Sequence, residues 1–173
     1  MTFLCSIIPS ARWGDLPSLL EVSGDPGENI DRLAAFVKSK GIQLVYNPNI
    51  APALGMSYGG RIAILPGQSK AETFSTLVHE TAHELLHRSE RRTATTKTVR
   101  ETEAEAVAFV VGKAVGLVND NASASYIQLY HGNASLLAES LEVIQHTAST
   151  ILAALEPPIA EDVTNEELAA VAA

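Results

Sequence analysis

Apolar positions along the chain fall into two periods, one helical and one extended, and the switch between them outlines the fold. Ile30, Leu33, Ala34 and Val37 repeat at helical spacing between Asp25-Pro26 and Gly41. Asp25 suits a cap, Pro26 the first turn and Gly41 a stop, so a helix is predicted over residues 26–40. Ile42 to Tyr46 alternates in part and ends at Asn47-Pro48, as a strand does. A turn-rich stretch follows. Gly59-Gly60 then leads into Arg61-Ile62-Ala63-Ile64-Leu65, closed by Pro66-Gly67, which predicts a second strand with Ile62 and Ile64 on one face.

Ser69-Lys70-Ala71-Glu72 reads as a capping box opening a long helix. Phe74, Leu77, Val78, Ala82, Leu85 and Leu86 form its apolar stripe, and Arg88, Arg91 and Arg92 suit its C-terminal end near residue 88. A Thr-rich polar loop separates it from a partner helix at about 98–115, with Ala104, Val107, Ala108, Val111 and Val115 apolar and Gly116 as its stop. A short helix over 122–130 and a longer one over 134–155 follow, ended by Pro157-Pro158. The pattern predicts one α+β domain over residues 1–156, a small sheet packed on helices, and an acidic, flexible tail at 157–173.

Composition agrees with a single domain. The 173 residues are 46% hydrophobic but only 5% aromatic, so the core is built from aliphatic side chains, as in helix-rich proteins. A formal charge of -8 opposes attraction to phosphates or anionic lipid, and DNA binding by this chain alone is not expected. The single cysteine, Cys5, forbids an intrachain disulfide and suits a reducing, cytoplasmic setting. The apolar opening at residues 1–9 lacks a basic start and is cut short by Pro9 and Arg12, so it reads as a strand or docked arm rather than a signal peptide or membrane span.

The chemistry lies in His79-Glu80-Thr81-Ala82-His83. Histidines four residues apart on a helix stack one turn, about 6 Å, apart on one face, so both imidazoles reach one metal. Glu80, next to the first ligand, is placed to act as general base on a metal-bound water, which is peptide-hydrolysis chemistry. The simpler alternative is a helix whose polar face merely carries two histidines.

A catalytic metal needs a third protein ligand, and the partner helix offers Glu101, Glu103 and Glu105. Glu101 and Glu105 share a face, whereas Glu103 is turned by roughly 200° from Glu101 and pairs with neither. Glu101 is assigned as ligand and Glu105 as the acceptor that orients a ligating histidine through its other nitrogen, although the reverse also satisfies the spacing. His87 would extend the histidine series, but eight residues rise about 12 Å, too far to share a metal with His79 at about 2 Å. It reads as a surface or dipole-facing residue, and His146 as structural. Tyr58, Tyr126, Tyr130 and His131 are candidate oxyanion donors, with His131 beside Gly132 favoured.

The run Phe74-Ser-Thr-Leu-Val-His79-Glu80-Thr-Ala-His83-Glu84-Leu-Leu-His87, followed by Arg100-Glu101-Thr-Glu-Ala-Glu105-Ala-Val-Ala-Phe109, resembles the ImmA/IrrE metallopeptidase group. The resemblance is greatest to the C-terminal zincin domain of ArdC-type antirestriction proteins. It spans about residues 15–155, including Gly59-Gly-Arg-Ile-Ala-Ile-Leu-Pro-Gly67 and Ser123-Ala-Ser-Tyr-Ile-Gln-Leu-Tyr130. It implies a minimal gluzincin-like fold in which a small twisted sheet covers the active-site helix, with one zinc or other divalent ion on His79, His83 and Glu101. The Glu-x-x-Ala-[Asn/Glu] pattern of that group is matched by Glu101-Thr-Glu-Ala104-Glu105. An edge strand for an extended substrate is also implied, with Ile62 to Leu65 as the candidate. ArdC-type proteins carry an N-terminal single-stranded-DNA-binding domain that has no counterpart here, so a truncated or stand-alone relative from plasmids, phage or other mobile elements is expected.

Two classes of function follow. One is a zinc-dependent endopeptidase acting on a specific protein, such as a repressor or restriction-related protein. The other is a non-hydrolytic antirestriction or partner-binding module with a structural metal.

Overall fold

The computed structural model describes residues 22–118 and 134–157. In chain order it contains α1 (Asn29–Ser39), β1 (Gln43–Tyr46), a 3-10 turn (Pro48–Ile50), β2 (Gly55–Ser57), β3 (Arg61–Ile64), α2 (Lys70–Leu86), α3 (Ser89–Ala94), α4 (Lys97–Ala114) and α5 (Ala134–Leu155). The fold is therefore α+β, as the periodicity predicts. The expected arm at residues 1–9, the helix at 122–130 and the acidic tail beyond Pro157 lie outside the described residues.

Local chemistry accounts for most boundaries. Glu72 donates its amide to Ser69 Oγ at 3.2 Å while its carboxylate accepts from the Ser69 amide at 2.8 Å, completing the capping box at the head of α2. Gly41 and Gly116 stop α1 and α4 in the left-handed region, at φ +72 and +85°. The start of α1 differs from expectation. Asp25 Oδ1 accepts from the Gly27 amide at 2.9 Å, closing a turn ahead of the helix, and Glu28 occupies the cap position without a capping bond from its side chain, which accepts from Arg32 instead.

β1 and β3 run parallel, with Gln43 opposite Arg61, and β2 joins β3 antiparallel, with Gly55 opposite Ile64, so the strand order is β1-β3-β2. This corrects the expected docking edge: the Ile62 strand is the centre of the sheet, paired on both sides, and among the described residues the edges are β1 and β2. Three residues, Gly55-Met56-Ser57, are too few to announce a strand by alternation, which is why β2 reads as turn-rich sequence.

The sheet buries both faces. Ile62 and Ile64 join Leu33, Val37, Phe74, Leu77, Val78, Val107, Val111 and Ile151 in the main core. Ala63 faces the other way and packs with Met56, Ile50 and Ala53 under the 3-10 turn. α2 lies between this sheet and α4, and α5 packs on α1, α2 and α4. Leu85 and Leu86, at the end of α2, are only partly buried. Among the described residues no helix is long and apolar enough to cross a membrane.

Candidate metal centre

Six polar residues of α2 and its C-terminal cap form two stripes, each repeating every four residues, and all six are buried. Thr76, Glu80 and Glu84 face the β2–β3 hairpin; His79, His83 and His87 face α4. Burying this much polar surface is costly unless each group finds a partner. The partners define the site.

On the sheet-facing stripe, Thr76 donates to Gln68 at 2.8 Å, and Gln68 in turn donates to the carbonyls of Leu54 and Leu65. Glu84 accepts from Ser57 Oγ at 2.6 Å, from the Gly59 and Gly60 amides at 2.7 Å each, and from Arg88 at 2.8 Å. Burial pushes its carboxyl pKa up, but these four donors more than offset that, and it lies below the usual range. The match is geometric: residues two apart on a strand and four apart on a helix are both separated by roughly 6 to 7 Å, so Gly55 and Ser57 come level with Glu80 and Glu84.

Glu80 lies between these anchors. It is fully buried, and neither carboxylate oxygen makes a hydrogen bond of good geometry. Burial, helped by the charges of Glu101 and Glu84, pushes its pKa to about 8 against the pull of His79 and a weak contribution from the Ser57 amide. Gly55 makes room for it: a Cβ there would lie 2.6 Å from Thr76 Cγ2 and 2.8 Å from Glu80 Cγ. Gly55→Ala is therefore expected to displace Glu80 and to cost about 1–3 kcal/mol. Urea denaturation checks the cost, and an unchanged midpoint would show that the strand simply slides away.

On the α4-facing stripe, His79 Nε2 and His83 Nε2 are 3.1 Å apart, and Glu101 Oε2 is 3.7 and 3.6 Å from them. Donors about 2.1 Å from a tetrahedral centre lie roughly 3.4 Å from one another. The three atoms thus fit a single cation, and both histidines are only 4% exposed. Burial lowers the His83 pKa to about 4, with Glu101 opposing, so the ring is neutral at pH 7 and has a lone pair to give. Glu105 Oε2 is 3.4 Å from His79 Nδ1, close to that nitrogen but without a hydrogen bond of good geometry.

Comparison of the chain with protein-family models, with curated proteins and with solved structures finds no match.

Several residues stand elsewhere than expected. His87 is not a surface residue: it is 2% exposed, with Nε2 2.9 Å from Glu103 Oε2 and Nδ1 2.8 Å from His83 Nδ1. The four-residue spacing from His83 keeps His87 on the face of α2 turned toward α4, so its ring lies beneath His83 and meets Glu103. Glu103 does point away from Glu101 and Glu105, but it is fully buried, accepting also from Arg91 at 2.7 Å and Ser140 at 2.6 Å. Arg88 and Arg91 serve Glu84 and Glu103, and the expected Thr-rich loop contains α3. His146 is exposed on α5, so it has no packing role. Tyr58 packs with Met56 on the sheet face opposite Gly55, its ring under Arg61, and so does not stand beside Glu80, where a donor to a tetrahedral oxyanion would be needed. His131, Tyr126 and Tyr130 lie outside the described residues.

No local signal in the sequence marks Ser57, Glu84 or Ser140 as bearing on the site, or Glu103 as a buried partner of His87. The four-residue spacings Glu80-Glu84 and His83-His87 are visible in the sequence; what each reaches across the fold is not.

Proposed function

We propose that this chain is a metal-dependent peptidase of the HExxH type, binding one zinc or similar divalent cation through His79, His83 and Glu101. The observation that carries the reading is the near-tetrahedral spacing of those three donor atoms, with a buried carboxylate, Glu80, adjacent in sequence and electrostatically coupled to His79 and Glu101. A cation bound there supplies a Lewis acid for a scissile carbonyl, an acidified water, and positive charge that draws the Glu80 pKa back toward the range of a base. Glu80 then holds and moves the proton: it accepts one from the nucleophile and delivers it to the leaving amine.

The resemblance to the ImmA/IrrE group supplies a substrate class, a specific protein such as a repressor or restriction-related protein. An extended segment of such a substrate docks on β2, the edge strand nearest Glu80, by strand addition.

The metal reading is tested on the purified full chain. One equivalent of zinc is expected to bind and to raise thermal stability, by about 2.7 kcal/mol at a hundredfold excess over Kd. His79→Ala and His83→Ala should each abolish that shift. A parent chain that takes up no metal sinks the reading.

One observation favours a second reading, a partner-binding module with a structural metal. The cavity at His79 holds only about 10 Å³, whereas a cleft of about 300 Å³ opens beside Tyr58, Gly59, His87, Arg88 and Arg92, and none of the three donor residues lines it. The two readings part at Glu80, because binding survives loss of the base and hydrolysis does not.

A further inference from the structure

We propose that His87 and Glu103 form a positioning relay that fixes the ring of His83 and directs its Nε2 lone pair onto the three-donor site. The inference rests on the metal reading above and assigns a role to two residues which that reading leaves unused.

The far end of the chain of hydrogen bonds sets its direction. Glu103 Oε1 accepts from Arg91 and Ser140, and Oε2 faces His87 Nε2 at 2.9 Å. A carboxylate held by a guanidinium and a hydroxyl is an acceptor, so His87 Nε2 carries the hydrogen. A neutral His87 then has its lone pair on Nδ1. That atom faces His83 Nδ1 at 2.8 Å, so His83 must donate, and its own lone pair is left on Nε2. Nε2 is the atom 3.1 Å from His79 Nε2 and 3.6 Å from Glu101 Oε2. With neutral rings, no other tautomer pair satisfies both bonds. The opposite tautomer of His83 would aim an N–H into the donor set and repel a cation.

The relay is also rigid. His87, Glu103 and Ser140 are 2, 0 and 0% exposed, so water does not compete for these bonds. Its members come from the C-terminal end of α2, from α3, α4 and α5, so the packing of four helices converges on one imidazole. The carboxylate facing His79 Nδ1, at 3.4 Å, is the partly exposed Glu105, whereas the groups behind His83 are buried.

A packing role alone predicts lost stability but unchanged metal affinity once the chain is folded. The test therefore reads zinc affinity, by chelator competition on the full chain, for the parent, His87→Leu and His87→Asn. Both variants give up the Glu103 bond, but the Asn carbonyl occupies the place of Nδ1 and can still accept from His83. Zinc affinity should fall about 10- to 100-fold in the Leu variant and largely recover in the Asn variant. Equal affinity in Leu and parent, or an Asn variant as weak as Leu, overturns the relay.

A second measurement needs no variant to fold. Long-range proton–nitrogen NMR of the parent should show His87 protonated on Nε2 and His83 on Nδ1; any other pair of tautomers overturns the proposal. A parent that takes up no zinc sinks the metal reading and the relay with it, whereas tight binding by the Leu variant sinks the relay alone.

Discussion

Glu80→Gln is expected to stabilise the metal-free chain at neutral pH while lowering peptide hydrolysis by at least about 100-fold. Both effects come from one carboxyl that is fully buried without a well-formed hydrogen bond. Its pKa rises on folding from 4.5 to about 8. The folded state therefore favours the protonated form, and the stabilisation is complete below the unfolded value. As pH climbs between the two values, the unfolded chain gives up a proton that the folded chain retains, and stability declines by up to about 1.4 kcal/mol per pH unit. Gln has the same shape and does not ionise, so its melting curve should lose this slope. Melts of parent and variant from about pH 5 to 9 should diverge with rising pH and level off near 8. Parallel curves would remove the argument that burial raises this carboxyl, and a variant that still cleaves would remove Glu80 as the base.

Glu84→Ala should be the most destabilising single change in the sheet-facing stripe, at about 3–5 kcal/mol. The residue is 1% exposed, and its loss leaves the Ser57 hydroxyl, two glycine amides and Arg88 without their acceptor. It also unpins the hairpin that covers Glu80. The sign with pH is opposite to that of Glu80. The pKa of Glu84 is lowered on folding, so its stabilisation is present above the unfolded carboxylate value and is lost as pH falls through the folded one. Glu103 is lowered too, once His87, Ser140 and Arg91 overcome the effect of burial, and adds to the same acid limb. Chemical denaturation at pH 7 and at about pH 4 should show the variant losing less than the parent on acidification. A cost below about 1 kcal/mol at pH 7 would mean that the hairpin is held by its backbone pairing with β1 rather than by this carboxylate.

What the sequence revealed depended on how far each signal reaches. The capping box at Ser69-Glu72, the glycine stops and the five-residue motif are local, and their reading needs only neighbours on one element. The division of Glu101 and Glu105 from Glu103 is also helical arithmetic, and α4 turns them to opposite partners as predicted. For His87 the same arithmetic gives only the reach to a metal shared with His79, and a residue too far to ligate can still touch the ligand between them. Glu84 and Gly55 stayed illegible for another reason: their roles exist only across the gap between a helix and a three-residue strand, where sequence spacing carries no distance. The centre-strand position of Ile62 was hidden by the same short strand.

The two stripes of α2 also constrain the length of the gene. One inserted residue rotates everything beyond it by about 100°. Anywhere between Thr76 and His83, such a step would turn Glu84 off the hairpin and His83 off Glu101 together, and neither a larger side chain nor a second nearby substitution restores both. The 47–54 segment, which crosses the sheet outside regular strands, has no such double register to keep. A change of length is thus expected to be borne by the connections and not by α2.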